Sequence, residues 1–145
     1  MNILIPIGLA AAFLSPTLAT LVSPAPALAQ ASKNAAPSQA LQKEFEEFIA
    51  KFRAALKADD AVAVAGLSQL PFQEDKAVHD AAQFRAKIYR SNFKAPDRAC
   101  LQRKKAAYDR DEAKNDNYYI VCSERIFIFT KTPAGFLLTD IGVND

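Results

Sequence analysis

Residues 117–131 read NYYIVCSERIFIFTK, a stretch dense in aromatic and β-branched side chains that predicts one long β-strand. Thr132-Pro133-Ala134-Gly135 follows it as a short hairpin connection, and Gly135 to Val143 reads as the closing strand. On the upstream side, Asp109 to Asp116 (DRDEAKND) has too little apolar content for anything but a charged turn. Before it, Arg98 to Tyr108 is the weakest strand candidate. An antiparallel sheet of at least three strands therefore occupies the C-terminal part.

Further upstream the period changes from 2 to near 3.6. Leu41, Phe45, Phe48, Ile49, Phe52 and Leu56 fall on one face of a helix, with Ser38 as its N-cap. Three phenylalanines on that face imply either a substantial core or the lining of a cavity, and core packing is the commoner use. Asp59 or Asp60 caps a short second helix containing Val62, Ala63, Val64 and Leu67, which Pro71 stops. Phe72 returns to the core. A third helix is expected from about Asp75 to Ser91, with Val78, Ala81, Phe84, Ile88 and Tyr89 toward one side and Pro96 closing the region. Helices first and sheet last is an α+β order.

A hairpin centred near Glu112 or Ala113 sets Cys100 and Cys122 nearly opposite one another on adjacent strands. The alternatives are a disulfide, which an exported protein retains, and two buried thiols; the register favours the disulfide.

No charged side chain precedes Lys33. Ile3 to Phe13 is mostly apolar, and a Pro/Ser/Thr/Ala stretch then ends in Ala27-Leu28-Ala29, the form of a signal peptidase site before Gln30. Residues 1–29 read as a secretory signal peptide and residues 30–40 as a flexible tether. The rival is a retained anchor, because Ile3 to Val22 approaches the ~20 residues that span a bilayer. Cleavage leaves a domain of residues 41–145, periplasmic or secreted, with no membrane association afterwards.

Counting excludes several chemistries. One His and two Cys cannot supply a structural zinc site, and four scattered glycines form neither a Rossmann nor a P-loop motif. No metal and no cofactor is expected. Eighteen Lys and Arg against 16 Asp and Glu give no reason to expect nucleic acid. His79 reads as a solvated helix residue. Arg103, Lys104 and Lys105, on a strand, would divide between its faces and protect a sheet edge.

Taken with the break at Ala58-Asp59-Asp60, the opening helix FEEFIAKFRAALKADDAVAVAGL and the ending YYIVCSERIFIFTKTPAGFLLTDIGVND resemble the nuclear transport factor two-like, or ketosteroid isomerase-like, superfamily. The resemblance covers roughly Leu41 to Asp145, with Phe136 where many members have tryptophan. It implies N-terminal helices packed on a curved antiparallel sheet, a cone-like arrangement that often leaves an apolar pocket. Members often pair through the open sheet face.

None of that family's catalytic residues matches position by position. Tyr89, Tyr119 and Asp140 are the groups whose chemistry suits ligand binding, and Asp140 shares parity with Leu138 and Gly142. The expectations are a non-catalytic binding or interaction domain for a small apolar molecule or a protein, a homodimer module, or a small isomerase or dehydratase with a buried carboxylate facing the pocket.

Overall fold

The structure, a computed structural model, describes residues 36–74 and 78–144. The expected signal peptide, with the cleavage site expected at Ala29 and Gln30, lies outside the described residues, as does most of the expected tether.

Helix α1 (Gln39–Lys57) begins where Ser38 accepts from the Leu41 N–H at 3.2 Å. Asp60 caps α2 (Ala61–Gly66) by accepting from the Val62 and Ala63 N–H groups, each at 3.0 Å. Helix α2 ends at Gly66, ahead of the expected stop at Pro71. A single turn, Phe72–Glu74, holds Gln73 at φ 54°. The third helix starts at residue 81, later than its apolar spacing suggested. Asp80 accepts from Gln83 N–H at 2.8 Å while the Gln83 side chain accepts from His79 N–H at 2.8 Å, a reciprocal cap that fixes the start. His79 is therefore an exposed residue just ahead of the helix.

This helical run comprises α3 (Ala81–Gln83), a π-helical turn (Phe84–Tyr89) and α4 (Arg90–Asn92). The wider π turn lets Phe84 and Tyr89, five residues apart, both point inward. Pro96 does not close the region. It sits in the first turn of α5 (Ala95–Arg103), where a missing N–H costs nothing. The strand expected over 98–108 is thus mostly helix. Ala99, Leu101 and Gln102 are good helix formers, and Asp97 and Leu101, four apart, share its buried side.

Four antiparallel strands follow in the order β1 (Ala107–Arg110), β2 (Asp116–Cys122), β3 (Arg125–Thr132) and β4 (Gly135–Val143). The single long strand expected over 117–131 is two, because Ser123 and Glu124 form a tight turn with Ser123 at φ 53°. The hairpin at Pro133-Ala134 is as expected, with Gly135 at φ 113° where a side chain would be strained.

Helix α1 lays Phe45, Phe48, Ile49 and Phe52 against the inner face of the sheet, formed by Tyr118, Ile120, Phe127, Phe129, Phe136 and Leu138. Phe45 stacks on Tyr118 with centroids 3.7 Å apart, and Phe52 meets Phe129 edge-on at 5.1 Å. Phe93 joins Phe52 and Phe127 from the side of the helical run. Phe52, Phe127 and Phe129 are 0 % exposed, so aromatic rings fill the space that a pocket would occupy.

Cys100 and Cys122 form a disulfide across 22 residues. The pairing is as expected but its geometry is not: Cys100 belongs to α5, so the bond ties a helix to the sheet instead of joining adjacent strands.

Phe52→Ala is expected to cost about 3–5 kcal/mol, because a ring with no exposed surface leaves a cavity its neighbours cannot close. Urea denaturation of the two proteins measures it. Reduction of the disulfide is expected to remove about 3 kcal/mol for a loop of this length, read from the same transition with and without a phosphine reductant.

Candidate functional site

Strand alternation assigns every sheet residue a face, and cross-strand register aligns them. On the side away from α1, one row runs Ala107, Tyr119, Ile128, Asp140 across all four strands. The next runs Asp109, Asn117, Thr130, Leu137, and a third joins Val121, Ile126 and Gly142. Tyr119, Ile126, Ile128 and Leu137 are half-buried, and Val121 is 37 % exposed. This open face therefore presents Tyr119, Val121, Ile126 and Ile128 as one continuous apolar patch, with Leu137 beyond Thr130 at its edge.

Polar contacts brace the patch from within. The Thr130 hydroxyl donates to Asn117 Oδ1 at 2.7 Å and lies 2.7 Å from the Thr139 hydroxyl, which reaches the Ile128 carbonyl at 3.3 Å. Asn117 Nδ2 donates to Asp111 Oδ2 at 3.1 Å. Hydrogen bonds from the Asn115 side chain and N–H, with that from Asn117, hold the Asp111 carboxyl below its usual pKa.

Two of the three sequence candidates meet here. Tyr119 and Asp140 flank Ile128 in the same row. Burial, with Asp109 and Asp111 nearby, pushes the Tyr119 phenol pKa up. Asp140 accepts from Gln73 Nε2 and from its own neighbour's N–H, Ile141, at 2.6 Å. A β-bulge opposite Ile128 and Phe129 places Thr139 and Asp140 consecutively on the open side, so the parity that grouped Asp140 with Leu138 fails. Leu138 points into the core and Asp140 away from it.

Tyr89 stands apart, inside the helical layer. Its hydroxyl donates to Asp59 Oδ1 at 2.7 Å, and Arg98 Nη1 lies 3.1 Å from the same oxygen. Asp59 sits at φ 53° between α1 and α2, so this trio fastens that junction to the π turn and to α5. Burial chiefly, then the hydrogen bond and charge of Asp59, push the Tyr89 pKa up to about 12.

The enzymatic expectation required a buried carboxylate facing an apolar cavity. Among the described residues the buried carboxylate is Asp97, and Arg125 Nη1 lies 3.3 Å from it. A cleft of about 300 Å³ beside α1 has Glu46, Arg53 and Lys105 along its wall. There Arg53 donates to the Leu101 carbonyl at 2.8 Å and the Lys104 carbonyl at 2.6 Å, which makes it a tie between α1 and the end of α5. The described residues contain no cluster of metal-ligating side chains, and none of their helices is long and apolar enough to cross a membrane.

The comparisons with protein-family models, curated proteins and solved structures give no match to this chain.

Sequence reading missed Val121, Ile126, Ile128 and Leu137 as a set. For Val121, Ile126 and Ile128 the signal is alternation inside 117–131, hidden because the Ser123-Glu124 turn reverses which parity faces inward; Leu137 belongs to the alternation of β4.

In the unfolded chain Tyr89 ionises near 10, whereas in the folded protein it does so near 12. Folding stability is therefore constant below pH 10 on this account and falls as the pH rises toward 12. Ultraviolet titration at alkaline pH is expected to show a late-ionising tyrosine that Tyr89→Phe removes; Tyr108, also raised to about 12 by burial and Asp116, remains.

Proposed function

We propose that this chain is an exported, non-catalytic interaction domain that engages a protein partner through the open face of its sheet. The observation that carries the reading is the patch of Tyr119, Val121, Ile126, Ile128 and Leu137, apolar and still accessible, on a face braced from within by Asn117, Thr130 and Thr139. A contiguous apolar patch on a folded domain marks a contact surface, and antiparallel sheets stack face to face about 10 Å apart.

Export is supported by the signal-like residues 1–29 and by a disulfide, which persists in oxidising compartments. The resemblance to the nuclear transport factor two-like superfamily agrees with helices laid on an antiparallel sheet, and it favours a second copy of this chain as the partner. The pocket-dependent readings, a small-molecule binder and an isomerase or dehydratase, lose support because Phe45, Phe48, Phe52, Phe127 and Phe129 occupy the interior.

Native mass spectrometry of the protein recovered from its export compartment tests this together with an Ile128→Glu variant. The expected result is twice the monomer mass for the wild type and the monomer mass for the variant, with the thermal transition of the variant unchanged. A monomeric wild type carrying a small apolar molecule would overturn the reading in favour of a pocket.

A further inference from the structure

Charge along the chain is segregated to a degree that its net value of +2 conceals. Residues 81–105 hold eight Lys and Arg against one carboxylate, a local net charge of +7, and the rest of the sequence is acidic by difference. That single carboxylate, Asp97, is buried and turned toward Arg125, so it does not offset the surface charge. Arg98 is also withdrawn, since it is held by Asp59 and by the Phe93 carbonyl at 2.8 Å.

The other cations of the segment are exposed, Arg85 while its Nε donates to the Ala81 carbonyl at 3.3 Å. Phe84, Tyr89 and Phe93 turn one side of the helical run into the core, which leaves Lys87, Arg90 and Lys94, spaced by three and four residues, exposed on the other. Past α5 the run Arg103, Lys104 and Lys105 is exposed at the C-terminal end of the helix. The sequence expectation of a split strand does not apply to it, because the segment is a helix end. Nine residues of α5 at 1.5 Å per residue set Lys94 and Arg103 roughly 14 Å apart along the helix, and Lys105 beyond them borders the cleft beside α1 with Glu46 and Arg53.

From this arrangement we infer, in place of the expected absence of membrane association after cleavage, that the helical layer is a docking surface for an anionic phospholipid bilayer. Ala86, Ser91, Ala95 and Pro96 are exposed neighbours of Lys87, Arg90 and Lys94, and their short side chains leave these longer cations free of steric cover when a headgroup layer approaches. Single-stranded nucleic acid would call for exposed rings to stack on, and the rings of this segment, Phe84, Tyr89 and Phe93, are buried. The apolar segment Ile3 to Val22, read as a signal or an anchor, would bring the chain to a membrane. This surface is separate from the open sheet face, whose charged strand residues are Asp109 and Asp140.

Vesicle flotation of the full chain tests the inference, comparing phosphatidylcholine vesicles with vesicles containing phosphatidylglycerol, at low and high salt. The difference between the two lipids is the readout, because an apolar N-terminus binds both alike. The wild type is expected to prefer the anionic vesicles at low salt and to lose that preference at high salt. Combined Arg90→Glu, Lys94→Glu and Lys104→Glu substitutions are expected to weaken the preference by roughly 100-fold. Lys43→Glu, Lys51→Glu and Lys114→Glu, which change net charge equally outside the segment, leave it nearly intact. Equal binding to both lipids, or equal loss in the two triple variants, would overturn the inference. So would tighter binding to duplex DNA than to anionic vesicles at matched phosphate concentration. Ile128→Glu leaves lipid binding unaffected, so this inference and the sheet-face reading stand or fall separately.

Discussion

Packing of the α1 phenylalanines onto the inner face of the sheet is the interaction on which the rest of the structure depends. Phe45 and Phe52 touch Tyr118 and Phe129 at the centre of the sheet, and Phe136 and Phe93 extend the same cluster to either side. Burying these rings requires the helices to lie on one side, and that leaves the other side of a four-stranded sheet facing outward. The rim of the contact is polar: Tyr118 donates to Gln42 at 2.7 Å, and Lys131 pairs with Glu44 above the Phe136 ring. The aromatic cluster thus determines which face of the sheet is free to meet another molecule.

Two surfaces of opposite character result. The sheet contributes an apolar face bordered by Asp109 and Asp140, while the helical segment 81–105 contributes a strongly basic one. A net charge near zero is the sum of these, and it hides both. Within the helical segment some groups serve internal ties instead, Tyr89 and Arg98 with Asp59, and Asp97 with Arg125.

How much of this was legible in the sequence follows from the kind of signal each element carries. Helix α1 was readable because six apolar residues at helical spacing and a serine cap agree. The sheet was readable as a region but not strand by strand: a two-residue turn leaves no break in composition at Ser123-Glu124, yet it exchanges the faces. Tyr119 and Phe129, both odd-numbered, would share a face on one strand and lie on opposite faces of two. The bulge beside Asp140 has the same effect for the same reason, since an extra residue shifts alternation without altering composition. Helix α5 is hidden in the sequence because a proline reads equally as the end of one helix and the start of another, and Pro96 is the start. The basic segment leaves little mark in the sequence because its cations are distributed over two helices and a connection, with only Arg103 to Lys105 forming a run.

The Cys100–Cys122 bond also determines what a protease can do to this chain. It encloses β1, a strand of four residues, together with the charged turn between Asp111 and Asn115. A single peptide cleavage in that turn leaves the helical fragment and the three-stranded fragment covalently joined. The nicked molecule keeps its mass, apart from one added water, until it meets a reductant. Its lifetime is then set by thiol exchange at one sulfur pair, more than by the number of bonds the proteases have cut.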